Sequence, residues 1–201
     1  MVKIAVFVSG GGTNLQALID AQARGEINGK IVLVVSNKES AYGLERARKA
    51  NIKAEFIKDE DIIIKRLAEE KVDLIVLAGY LAIVSSKLID IYENKIINIH
   101  PSLIPSFCGP GYYGIHVHRR AFERGVKVAG ATVHFVSNVV DGGPIILQRA
   151  IDVADCNSPE EIQTKILNNI EHKLLTEAVK LFCDNKLKVE NERVNIIWKE
   201  L

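Results

Sequence analysis

Asp73-Leu74-Ile75-Val76-Leu77-Ala78-Gly79 sets five apolar residues in a row between an acid and a glycine. No polar residue interrupts the run, so neither face of the segment is suited to water. A strand of that kind belongs inside a parallel sheet with helices on both sides. The neighbouring segments repeat the alternation. Upstream, Lys3 to Val8, Lys30 to Ser36 and Ala54 to Ile57 read as strands, and Asn14 to Ala21, Tyr42 to Ala50 and Asp61 to Glu70 as helices. Downstream, a short helix near Ser86 to Tyr92 leads to the strand Ile96-Ile97-Asn98-Ile99. Strands alternating with helices specify an α/β fold with a doubly wound, mostly parallel sheet.

In such sheets ligands bind beyond the carboxyl ends of the strands, near the switch point of the strand order. Three features fall there. Ser9-Gly10-Gly11-Gly12-Thr13-Asn14 follows the first strand and opens a helix whose stripe is Leu15, Leu18, Ile19 and Gln22, with Thr13 or Asn14 as N-cap. Strand, glycine turn and helix together aim backbone amides at an anion. The loop matches neither a Walker loop nor the dinucleotide G-x-G-x-x-G spacing, and glycines needed only for a tight turn are the plain alternative. Tyr80-Leu81-Ala82-Ile83-Val84 is an apolar loop after the fourth strand. Asn98 and His100 end the fifth, on one strand face, where Pro101 cuts the strand off. An amide donor beside an imidazole suits negative charge developing on an oxygen. A buried pair satisfied by backbone groups is the alternative.

Beyond Pro105 the pattern changes. Ser106 to Gly114 is turn-rich and aromatic, and a helix follows over roughly Ile115 to Glu123. His116 and His118 are two apart and so on different helical faces, poor for a metal, and read as surface or packing residues. Ala131 to Val136 alternates as a strand, with His134 most simply a hydrogen-bonded sheet residue. Asp141-Gly142-Gly143-Pro144 is a turn before the strand Ile145 to Ile151, and it offers a carboxylate to pair with His100. Ser158-Pro159-Glu160-Glu161 starts a long helix to about Asp184 with the stripe Ile162, Ile166, Ile170, Leu174, Ala178 and Leu181. Glu171 and His172 flank that stripe and by sequence alone read as part of a solvated face, and Lys188 to Trp198 reads as a terminal hairpin.

The 201 residues are 48% apolar with a formal net charge of +1, which argues against a nucleic-acid or membrane-surface protein. No window is long enough to span a membrane, and the amino terminus carries no cleavage pattern. Cys108, Cys156 and Cys183 are widely spaced and read as free thiols in a reducing compartment, so a cytoplasmic protein is expected. Without repeats or evident linkers, residues 1–201 parse as a single domain.

Ser9-Gly10-Gly11-Gly12-Thr13-Asn14-Leu15, Asn98-Ile99-His100-Pro101-Ser102-Leu103-Ile104-Pro105 and Asp141-Gly142-Gly143-Pro144, in that order, closely resemble the folate-dependent phosphoribosylglycinamide formyltransferases. The resemblance runs over nearly the whole chain. It includes Ser36-Asn37, Tyr42-Gly43-Leu44-Glu45-Arg46-Ala47, Leu77-Ala78-Gly79-Tyr80 and Val133-His134-Phe135-Val136. It implies a Rossmann-like formyltransferase fold, with a phosphate-binding half over residues 1–100 and a catalytic-loop and folate-side half over 101–201. It also implies formyl transfer from 10-formyltetrahydrofolate, as cosubstrate, to the amine of glycinamide ribonucleotide in purine biosynthesis, without a metal.

By the same resemblance, Gly12, Thr13 and Asn14 hold the phosphate and Glu171 reaches the ribonucleotide. Leu81, Ala82, Ile83 and Val84 line the folate pocket with Asn98 and Asp141. Asn98 and His100 polarise the formyl oxygen, and Asp141 is charge partner and proton relay. Three features depart from the family pattern. Ala82 stands where many relatives have arginine, the segment Lys58 to Lys65 is shortened, and the loop Cys108 to Gly114 is long. No arginine is therefore assigned to the folate tail. A formyltetrahydrofolate deformylase, a methionyl-tRNA formyltransferase and a non-catalytic nucleotide sensor are the competing readings. A monomer and a homodimer are both compatible with the sequence.

Overall fold

The computed structural model describes residues 1–197. Seven strands form one sheet: β1 (Val2–Val8), β2 (Gly29–Ser36), β3 (Lys53–Phe56), β4 (Leu74–Leu77), β5 (Ile96–His100), β6 (Val128–Phe135) and β7 (Ile145–Asp152). Their order is β3-β2-β1-β4-β5-β6-β7. The first five run parallel, while β6 pairs antiparallel with β5, and β7 with β6. From β1 the chain winds outward to β2 and β3, then returns to place β4 on the other side. The switch point therefore lies between β1 and β4, where the loops after both strands diverge.

Every β4 residue is buried, and so are Ile4 to Val8 of β1. Alternate residues serve two cores. Ile4, Val6 and Val8 meet α1 (Thr13–Ala23) through Leu15 and Leu18, and the carboxy-terminal helix through Leu174 and Val179. Ala5 and Phe7 belong with Ile63 and Leu67 of α3 (Glu60–Glu70) and Leu88 of α4 (Ser86–Ile91). The second helix, α2 (Tyr42–Lys49), buries Leu44 and Ala47 in the first core. The helix after β5 is α5 (Ile115–Arg124).

The N-cap of α1 differs from the expectation of Thr13 or Asn14. Gly12 caps it from the left-handed region, φ 70°, without a side-chain cap. A Cβ there would stand 2.7 Å from the Gly43 Cα, so only glycine satisfies both the turn and the close approach of α2.

The long carboxy-terminal helix is interrupted. It consists of α6 (Pro159–Ile166), a π turn at Leu167–Glu171, and α7 (His172–Cys183). Ser158 caps its start, accepting from the Glu161 amide at 3.2 Å. The stripe Ile162, Ile166, Ile170, Leu174, Ala178 repeats every fourth residue. In a regular α-helix each such step drifts by about 40°. The wider π turn takes up that drift, keeping the stripe on the sheet and burying Glu171 as well as Ile170. A hairpin of β8 (Leu187–Glu190) and β9 (Arg193–Ile196) follows, and Trp198, expected at its end, lies outside the described residues.

Candidate functional site

A cavity of about 800 Å³ opens at the carboxyl edge of β1, β4 and β5. Gly12, Thr13, Asn14, Leu81, Ala82, Ile83, Val84, Asn98, His100, Asp141 and Glu171 all line it. Ser9 ties three of its loops together. Its hydroxyl donates to Asn37 Oδ1 at 2.6 Å and accepts from the Leu81 amide at 2.8 Å, and its own amide donates to Gly79 O.

At the glycine end, Asn14 Nδ2 donates to Glu171 Oε2 at 2.8 Å across 157 residues of sequence. Both side chains are buried, so Glu171 is not on the solvated face its flanking position suggested: the π turn rotates it inward. Burial pushes the Glu171 carboxyl above its usual range, opposed by the weaker pull of the Asn14 hydrogen bond. Asn14 Oδ1 is a buried acceptor with no donor among the described residues. It therefore fits a ligand hydroxyl or amine.

At the opposite end the loop after β4 is divided. Leu81 and Ile83 are exposed at 47% and 79%, so their apolar surfaces face the opening, whereas Val84 belongs to the second core. Val139 is also exposed there and extends the apolar rim.

Between the two ends stand Asn98, His100 and Asp141. Asp141 adopts φ 56° in its turn, and a Cβ on Gly143 would lie 1.9 Å from Phe135 O. The D-G-G spacing is thus dictated by the turn, and the turn carries the carboxylate to His100. Asp141 Oδ2 lies 3.5 Å from His100 Nδ1, within ion-pair reach, and accepts from the Gly109 amide at 2.8 Å. His100 Nε2 donates to Phe107 O at 2.9 Å. Both ring nitrogens therefore face oxygen acceptors.

His134 is the hydrogen-bonded sheet residue expected of it, and it also sits inside this group. The antiparallel register places it directly opposite Asn98. Its Nδ1 donates to Phe135 O at 2.8 Å, leaving Nε2 to accept from Asn98 Nδ2 at 3.1 Å. Burial lowers its pKa and keeps the ring neutral, as that pattern requires. Asp141 Oδ1 is 3.8 Å from the same Nε2. A histidine in a strand was the only local signal, since cross-strand pairing is not written in the spacing. His118 also lines the cavity, buried, with Nδ1 unpaired among the described residues. Its pKa falls to about 4, through burial and then the nearby His100. Of the surface and packing roles expected for it, the structure selects packing. His116, its partner in that expectation, makes an edge contact with the Tyr113 ring.

The formyl transferase family model matches residues 2–179. The phosphoribosylglycinamide formyltransferase of Haemophilus influenzae is 40% identical over 100% of this chain and 96% of its own. The chloroplastic one of Arabidopsis thaliana is 37% identical over 97% of this chain and 70% of its own. Among solved structures, glycinamide ribonucleotide transformylase 1 from Symbiobacterium toebii superposes with a TM-score of 0.91 and 42% identity, over 98% of this chain and 94% of that one.

Proposed function

The chain belongs to the phosphoribosylglycinamide formyltransferases, within the formyl transferase family, which formylate glycinamide ribonucleotide in purine biosynthesis, and we propose that its cavity joins the two substrates across Asn98, His100 and Asp141. The observation that carries this reading is the arrangement of one cavity: an anion-suited glycine end, an apolar end, and that polar group between them.

The ribonucleotide phosphate sits on the amides of Gly12, Thr13 and Asn14 at the start of α1. Asn14 Oδ1 and the Glu171 carboxyl take the ribose hydroxyls. The pterin of 10-formyltetrahydrofolate lies along Leu81 to Val84, with Asn98 and Asp141 at its reacting end. No positive side chain is assigned to its tail.

Amine attack on the formyl carbon puts negative charge on the formyl oxygen, and fixed donors stabilise it. Asn98 has two amide hydrogens. His134 takes one, which turns the other toward the cavity. His100 supplies the second donor through Nε2, with the formyl oxygen taking the place Phe107 O now holds. Asp141 accepts the proton leaving the amine and passes it to the departing folate nitrogen, directly or through one water.

We read residues 1–201 as a single domain, because one sheet runs through both halves. Leu81 to Val84 come from the first half, so the folate end draws on both. A monomer and a homodimer are both compatible with this reading. Among the described residues no helix is long and apolar enough to cross a membrane. The free thiols of Cys108, Cys156 and Cys183 support a cytoplasmic setting.

The test uses purified protein with 10-formyltetrahydrofolate and glycinamide ribonucleotide. Formylated ribonucleotide should accumulate in step with consumed cosubstrate, and His100→Ala should abolish most of it. Formate release without an amine acceptor would make the chain a deformylase, and formylation of methionyl-tRNA would reassign the acceptor.

A further inference from the structure

Tyr42-Gly43-Leu44-Glu45-Arg46-Ala47, on α2, has no part in the reaction as described, and none of its residues lines the cavity. Two of its polar contacts nonetheless go to the glycine loop. The Gly43 amide donates to Gly10 O at 3.0 Å, and Arg46 Nε donates to Gly11 O at 2.8 Å. The peptides following Gly10 and Gly11 are trans. A trans peptide points its carbonyl and its amide in opposite directions. Drawing the Gly10 and Gly11 carbonyls toward α2 therefore turns the Gly11 and Gly12 amides away from it. Neither amide donates to an oxygen among the described residues.

The Arg46 side chain is itself held from several sides. Nη1 donates to Gln16 Oε1 of α1 at 3.1 Å, and the guanidinium lies over the Tyr42 ring, 5.1 Å from its centroid. The planar fork lets one side chain bond a loop carbonyl and a helix side chain together. The loop and α2 approach closely because glycine stands on both sides: a Cβ on Gly12 would meet Gly43 Cα at 2.7 Å, and one on Gly43 would meet Val8 Cγ2 of β1 at 2.8 Å.

We infer that Arg46 is a positioning residue for the substrate phosphate, orienting the Gly11–Gly12 peptide so that the Gly12 amide stands free for the anion. It also supplies a fixed positive charge behind the loop. The inference rests on the glycine loop being the phosphate seat.

The experiment measures kcat and both KM values for Arg46→Met, Arg46→Lys and Gly11→Val, with glycinamide ribonucleotide and with the phosphate-free glycinamide riboside. Arg46→Met should raise the ribonucleotide KM about 10-fold to 100-fold, the loss of one or two hydrogen bonds to a charged ligand. Its kcat, its cosubstrate KM and its activity on the riboside should not change. Arg46→Lys should recover part of the loss, because it keeps the charge without the fork. If Arg46→Met does not fold, the Arg46→Lys ratio between ribonucleotide and riboside carries the same test. Equal weakening of ribonucleotide and riboside, or of both substrates, would make Arg46 a fold contact only and overturn the inference. Gly11→Val separates the two claims, since an added Cβ there meets nothing within 4 Å. If it raises the ribonucleotide KM and Arg46→Met does not, the inference fails while the phosphate seat stands. If neither variant raises it, the phosphate seat fails, and Arg46 with it.

Discussion

His134 fixes which way the Asn98 amide points, by offering Nε2 as the acceptor for one of its hydrogens. Replacing His134 with phenylalanine removes that acceptor and leaves the amide free to turn. The kcat should fall by on the order of 10-fold, less than the 10²–10³ typical of deleting a donor outright. His134→Gln, whose carbonyl oxygen accepts in the same place, should recover much of it. A phenylalanine variant with unchanged kcat, or a glutamine variant no better, would show that the contact merely fills the sheet. His100 and Asp141 should behave as one unit. His100→Ala and Asp141→Asn should each cost on the order of 10² or more in kcat, and the double variant far less than the product. Fully multiplicative losses would mean the 3.5 Å approach between them does not matter to the reaction. Asn98 and His100 could be read as neighbours from two-residue spacing within a strand. The Asn14–Glu171 bond and the Asn98–His134 pair could not, because both depend on contacts between segments distant in sequence.

The loop between β4 and α4 is one element with two jobs. Val84 closes the core beneath it, while Ile83 presents its side chain to the opening. A charge at Val84 would be buried without a partner. Val84→Asp should therefore cost more than about 3 kcal/mol of stability by urea unfolding. Ile83→Asp should leave stability alone and raise the cosubstrate KM more than the ribonucleotide KM. The reverse ranking would mean the two ends of the cavity have been exchanged. The glycine loop divides in a similar way. Gly12→Val forces a β-branched side chain into φ 70° against Gly43, so it should destabilise the chain and weaken both ligands. Gly11→Val tests the anion seat alone. The apolar runs of β1, β4 and β5 made the parallel sheet legible, since unbroken burial leaves a local pattern. The short turn at 141–144 implies that β7 runs against β6, whereas the direction of β6 against β5, reached through α5, emerges only with the pairing. The π turn did have a trace, the isoleucines at strict fours, which a regular helix would carry off the sheet.

Across the whole molecule, the buried titratable groups of the cavity pull stability in opposite directions with pH. His118 has its pKa lowered to about 4 from 6.5, first by burial and then by His100. His134 is lowered too, chiefly by burial. Between the two pKa values of such a group, the unfolded chain binds a proton that the folded chain refuses. Stability is then fully present above 6.5 and is lost as the pH falls, for His118 down to about 4. For His118 the loss is at most roughly 3 kcal/mol. Glu171 has the opposite sign, because burial raises its pKa above 4.5. There the folded chain holds a proton that the unfolded chain has released, so stability falls as the pH rises from 4.5 to the raised pKa. Urea unfolding at a series of pH values separates the two effects. His118→Leu should flatten the decline on the acid side, and Glu171→Gln should remove a decline on the opposite side, beginning just above the ordinary carboxyl range. Glu171→Gln should also weaken the ribonucleotide more than the cosubstrate, since the same carboxyl faces the glycine end of the cavity. An unchanged acid slope in His118→Leu would mean that water reaches that ring and the burial assigned to it is wrong. A Glu171→Gln variant with altered substrate affinity but the wild-type pH slope would keep its place in the site and remove its claim on stability.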